Sequence, residues 1–175
     1  ALSAVQSEAT NFRLIIGAGH SRGAALWVDR FEDFFAAEVK KRVEATTPHK
    51  IEWVTAWGGS VAKLDESLEA VQEGSLDFAN IPYQFEPTKL FLHGWTQYMP
   101  FASPDPILTS RVGNKIHRSI PYLTEVFEKQ YNQKFLSCHS LSSYHIITNF
   151  PWKKFEELKG KKIAAAGANL LWLKG

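Results

Sequence analysis

Residues with chemical potential are scattered along this chain, and few of them converge. Cys138 and His139 are adjacent, a pair that would supply a thiol and a base if the side chains met. On an extended segment neighbouring side chains point to opposite faces, so this pair does not form a nucleophile–base couple. The six histidines show no zinc-like spacing, and no metal or cofactor is expected. Gly17-Ala18-Gly19-His20-Ser21-Arg22-Gly23 superficially suggests a dinucleotide fingerprint. Its third glycine does not fall where G-x-G-x-x-G requires it, and the stretch reads instead as a strand-to-helix turn with Ser21 near the cap. Glu66 and Glu69 share a helix face, as solvated side chains do. With no acid–base or nucleophile constellation, the chain is expected to bind rather than catalyse. The candidate ligand contacts are therefore donors and rings near loop ends. His20 lies in the glycine loop. Trp57 and Tyr83 combine an apolar ring with a polar tip, suited to a pocket wall or to core packing. Phe85 and Trp172 add aromatic surface. Asn149 and Asn169 suit hydrogen bonding to a ligand or to a turn.

The elements that must position these residues follow from periodicity. Asn11–Ile16 (NFRLII) reads as a buried strand leading into the glycine loop. From Gly23 to Glu44, Trp27, Phe31, Phe34, Phe35, Val39 and Val43 recur at three- and four-residue steps, which predicts a long helix with basic residues towards its end. Ile51 to Tyr83 is the central unit. Alternation around Trp53 predicts a strand, Gly58-Gly59 a tight turn, Leu64 to Gln72 a helix stopped at Gly74, and residues 76–81 a second strand. This is a βαβ unit whose loops, at residues 57–63 and 81–87, follow strand ends. The Pro-rich stretch 84–105 predicts a short helical turn over residues 90–95 and a short strand over 98–102. Residues 106–130 read as one or two helices, with Pro121 starting the second. Lys134–Cys138, Tyr144–Asn149 and Lys161–Ala166 are further strand candidates, with a short helix at Phe155–Leu158 stopped by Gly160. The expected class is α/β, with helices on both faces of a mixed sheet.

Composition sets the remaining bounds. Hydrophobic residues make up 45% of the 175 and the formal net charge is +2, so a real core is expected and disorder is not. Basic and acidic residues are interspersed, which argues against nucleic acid as a partner. The lone Cys138 excludes an internal disulfide, and no apolar run reaches the ~18 residues of a membrane span. Oligomeric state is not legible.

Four motifs in order give the chain a resemblance. A strand–loop–long helix opening is followed by WGGSVAK, then EAVQEGSLDFANIP, then TNFPWKKFEELKGKKIAAAG. Together they resemble the solute-binding proteins of TRAP transporters, periplasmic receptors typified by C4-dicarboxylate binders. The resemblance implies a periplasmic-binding-protein-like fold of two lobes that close on a small-molecule solute and present it to a TRAP membrane permease. It implies a first lobe over residues 1–140, a crossing strand and the opening of a second lobe over 141–175, and so an N-terminal portion of a longer protein. It also implies a periplasmic location, with the signal peptide removed. The family's carboxylate-clamping Arg would fall at Ala164, and a second family Arg at His145. Ala cannot replace a bidentate guanidinium, so the ligand is expected to be a carboxylate held by other donors, His145 among them, or a more aromatic compound. A ligand-sensing subunit on the same fold is the alternative, and a small-molecule enzyme a more distant one.

Overall fold

The computed structural model describes residues 8–99, 101–141 and 143–173. The chain divides into two compact units, each treated by itself. One runs up to Pro82 and includes Tyr131–Gln133; the other comprises Tyr83–Gln130 and the chain from Lys134 onward.

The first unit is an α/β layer structure around a three-stranded sheet. Its strands are β1 (Asn11–Gly17), β2 (Lys50–Ala56) and β3 (Phe78–Ala79). Their order is β2-β1-β3 and both pairings are parallel, which corrects the expectation of a mixed sheet. Each connection passes through a helix that returns the chain to the starting end, and such crossovers impose parallel pairing. β1 pairs with β2 along its full length, from Asn11↔Lys50 to Gly17↔Ala56. β3 is shorter than the sequence suggests, and Asp77 fixes its register. The Asp77 carboxylate accepts from the Ile15 N–H at 2.7 Å, and its own N–H donates to the Ile15 carbonyl at 2.8 Å.

The long helix is present as α1 (Leu26–Arg30), a π-helical turn (Phe31–Ala36) and α2 (Ala37–Thr46). It covers the face carrying Trp53 and Phe78. The Trp53 indole donates to the Ala36 carbonyl at 2.8 Å, and Phe35 lies 5.9 Å from Phe78. The opposite face carries Ile15, Ala56 and Ala79, packed by Ala62, Leu76, and by Ala70 and Val71 of α3 (Ser67–Gln72). Side-chain alternation along each strand sorts the two sets. The fully buried Ile16, Val28, Leu68 and Leu76 each contribute about 1.5–3 kcal/mol by leaving water. α3 starts later than its apolar spacing predicts, because local side-chain bonds hold the preceding turn. Glu66 accepts from the Lys63 N–H, and Ser67 donates to the Lys63 carbonyl, both at 2.9 Å.

The second unit contains 3₁₀ turns at Tyr83–Phe85 and Phe91–Tyr98, then α4 (Pro106–Ser119) and α5 (Pro121–Tyr131). Asp105 caps α4 by accepting from Ile107 and Leu108 at 2.8 and 3.2 Å, with Pro106 in the first turn. Four strand expectations fail here. In place of the strand expected over 98–102, Tyr98 ends a 3₁₀ turn that begins at Phe91, and residues 101 and 102 are a turn and a bend, with Pro100 outside the described residues. Lys134–Cys138, Tyr144–Asn149 and Lys161–Ala166 have no strand ladder.

For Lys134–Cys138 the reason is specific. The segment is extended, but its partner is a helix. Arg118 donates to the Leu136 carbonyl at 2.8 Å. Asn114 bonds both backbone groups of Cys138, at 2.6 and 3.1 Å. Ser110 accepts from the Ser140 N–H at 2.8 Å. Four residues of helix rise about 6 Å and two of strand about 6.6 Å, so a stripe at positions 110, 114 and 118 matches alternate residues 140, 138 and 136. Side chains of α4 thus satisfy backbone groups that a neighbouring strand would otherwise meet.

Candidate functional site

The carboxyl ends of the strands in the first unit form the leading candidate. The connection leaving β1 crosses one sheet face to β2, and the connection leaving β2 crosses the other face, over β1, to β3. Strand order therefore reverses at β1. In open α/β sheets ligands bind outside the carboxyl ends at such a reversal. The loops there are tightly built. Ala18 N–H donates to the Ala56 carbonyl at 3.1 Å, Gly58 N–H to the His20 carbonyl at 3.0 Å, and Asn80 N–H to the Gly17 carbonyl at 3.2 Å. Gly58 and Gly59 have φ of 68° and 75°, a region that costs little only without a side chain. At Gly19 a Cβ would lie 2.5 Å from the Leu64 nitrogen, so the β1 loop approaches backbone directly.

This edge brings His20 and Trp57 onto the same loop pair. His20 meets Trp27 edge-on at 4.9 Å, and burial lowers its pKa, which keeps the ring neutral near pH 7. Trp27 and Trp57 pack against buried Ala18, Ala25 and Val28. The Trp57 ring lies 6.1 Å from Phe31, and its indole donates to Glu32 at 2.5 Å. Glu32 also pairs with Arg22 at 3.0 Å, and Arg22 further pairs with Asp33 at 2.9 Å and Asp29 at 3.4 Å. The π turn supplies Phe31, Glu32 and Asp33; such turns are frequent at functional sites. Arg22 is thus matched by three carboxylates and Lys63 by Glu66 at 3.4 Å. The edge offers rings, a neutral imidazole and backbone groups rather than an uncompensated cation.

The second unit assembles a different cluster, around Tyr83. Its ring stacks on His117 at 5.7 Å and meets His93 at 5.4 Å. His117 is sandwiched on its other side by Phe135 at 4.9 Å and 7°, and His93 meets Phe127 edge-on at 4.9 Å. Both imidazoles are almost fully buried. His117 Nδ1 donates to the Gly113 carbonyl and His93 Nε2 to the Leu123 carbonyl, each at 2.8 Å. A carbonyl only accepts, so these bonds fix the tautomers. The remaining ring nitrogens, His117 Nε2 and His93 Nδ1, are buried without a hydrogen-bond partner. Burial lowers both pKa values and pushes the Tyr83 phenol up, with Cys138 adding to the latter.

Cys138 Sγ lies 3.8 Å from His117 Nδ1. That nitrogen already carries the proton it gives to Gly113, so it cannot take one from the thiol. Burial pushes the thiol pKa up as well. The contact is packing, not a nucleophile–base pair.

The other predicted contacts fall apart from these groups. Phe85 lies against Gly167, where a Cβ would come within 2.9 Å of its ring. Asn169 follows in the 3₁₀ turn Gly167–Leu173 and is buried, with its Oδ1 lacking a hydrogen-bond partner. Trp172 is half exposed and meets Tyr144 edge-on at 5.6 Å. His145, Asn149 and Ala164 are exposed on irregular backbone. Sequence reasoning missed His93 and His117. The available signal was that His117 shares an apolar face of α4 with Gly113 and Ile116. It also missed the Arg22 network, for which Asp29, Glu32 and Asp33 at helical spacing were the signal.

Among the described residues, no group of three or more His, Cys, Asp or Glu is placed to hold a metal ion, and no helix is long and apolar enough to cross a membrane. No protein-family model, curated protein or solved structure matches this chain.

Proposed function

We propose that this chain is a solute-binding protein of the TRAP-transporter type. It takes up a small organic solute outside the cytoplasm, carboxylate-bearing or aromatic, for delivery to a membrane permease. The observation that carries this reading is the reversal of strand order at β1, with His20 and Trp57 on the loops at that edge. The ordered motifs WGGSVAK, EAVQEGSLDFANIP and TNFPWKKFEELKGKKIAAAG give the reading its family. The periplasmic-binding-protein-like lobe belongs to the same proposal, as does the periplasmic location. Because Arg22 is already matched by carboxylates, aromatic contact with Trp57 is the larger source of affinity at this edge.

The test is a thermal-shift screen of the purified chain against organic acids and aromatic acids, followed by titration of tryptophan fluorescence with each hit. The expected result is a saturable hit whose affinity falls in Trp57→Ala and His20→Ala. If every hit binds these variants as tightly as the parent chain, the strand-end site is wrong. If no compound in either class stabilises the protein, the solute-binding reading fails.

A further inference from the structure

A surface cavity of about 320 Å³ in the second unit is lined by Arg118, Thr124, Glu128, Lys134 and Phe135. None of these residues belongs to the strand-end loops. We propose that this cavity is a separate binding site for a small anion with a flat apolar body, of the aromatic carboxylate class.

Two cations and one carboxylate line the cavity. Lys134 and Glu128 form an ion pair with each other. Arg118 has no carboxylate within ion-pair distance among the described residues. Its Nη2 is spent on the neutral Leu136 carbonyl, which holds the guanidinium in place without cancelling its charge. Its other N–H groups remain available to an oxyanion, and the planar fork suits a carboxylate.

The wall supplies the second half. Phe135 lines the cavity, and its ring stacks on buried His117 at 4.9 Å and 7°, which fixes its orientation. Thr124 spends its hydroxyl proton on the Pro121 carbonyl at 3.1 Å and keeps lone pairs to accept from a ligand hydroxyl. The volume is within the range of small-molecule pockets. A guanidinium, a rigid ring and an accepting hydroxyl select an anionic head on a flat body. They disfavour a cation.

The probes are benzoate and its cationic counterpart benzylamine, followed by amide and histidine-ring NMR on the full chain. Benzoate is expected to shift the amides of Thr124, Lys134 and Phe135 together with the His117 ring signals. Benzylamine is expected to leave them in place. Arg118→Gln keeps a donor for the Leu136 carbonyl and should weaken benzoate by about tenfold or more. Glu128→Gln, which removes the competing negative charge, should tighten it. Equal shifts with benzylamine, or an Arg118→Gln variant that is folded by its amide spectrum and binds benzoate unchanged, would overturn the proposal. So would an absence of shifts in the parent chain.

Discussion

Acidification should unfold the second unit through two particular side chains. His93 and His117 are buried, neutral and held in fixed tautomers, and burial lowers both pKa values. In the unfolded chain each titrates near 6.5. The folded values lie lower, so the unfolded state binds protons first as the pH falls. The stability these rings contribute is therefore fully present above about 6.5 and is lost below it. Each proton bound only by the unfolded state tilts stability by about 1.4 kcal/mol per pH unit. Two histidines together give up to about 2.7 kcal/mol per pH unit until the folded rings titrate. Charging the first ring also opposes charging the second, because each lies 5.5 Å from the other. The assay is urea unfolding between pH 8 and pH 5, comparing the parent with His93→Phe/His117→Phe. Phe keeps the ring stack on Phe135 and Tyr83 and removes the two orphan nitrogens. It loses two carbonyl bonds, at about 1 kcal/mol each, so the variant starts lower at pH 8 but falls less on acidification. The difference between the two curves isolates these residues from the other titrating groups. Parallel curves would refute the reasoning, as would a native-state His117 ring that titrates near 6.5 by NMR.

Other outcomes follow from single contacts. Gly19→Ala places a Cβ 2.5 Å from the Leu64 nitrogen, so it should cost about 1–3 kcal/mol by thermal denaturation and weaken any ligand held at the strand ends. Leu76→Ala removes a fully buried side chain facing Ala56 and Ala70, for an expected loss of about 2–5 kcal/mol in chemical denaturation. Asn114→Ala frees both backbone groups of Cys138. Amide exchange at Cys138 and Ser140 should accelerate, with a loss of about 1–3 kcal/mol. Asp77→Asn halves the acceptor capacity that fixes β3 on Ile15, and exchange at the Ile15 amide should rise without global unfolding.

Local chemistry was legible wherever one element decided its own form. The apolar spacing from Trp27 to Val43, Pro121 at the head of α5, Gly74 after α3 and the Gly58-Gly59 turn all act within a few residues, and all are where the sequence puts them. The α/β class was legible for the same reason, since strand, glycine turn and helix alternate from Asn11 to Ala79. Pairing was not. Whether Lys134–Cys138 becomes a strand depends on what lies beside it, and α4 supplies Ser110, Asn114 and Arg118 at a rise that matches alternate extended residues. Nothing in KFLSC records that spacing. The same holds for function-bearing groups. His20 and Trp57 lie on neighbouring loops at one edge because strand order reverses at β1. His93, His117 and Phe135 lie 24 and 18 residues apart in sequence and share one apolar cluster only because α4, α5 and the extended segment fold together. Short-range sterics and hydrophobic period were written in the sequence; which distant side chains share a low-dielectric space was decided by the tertiary structure.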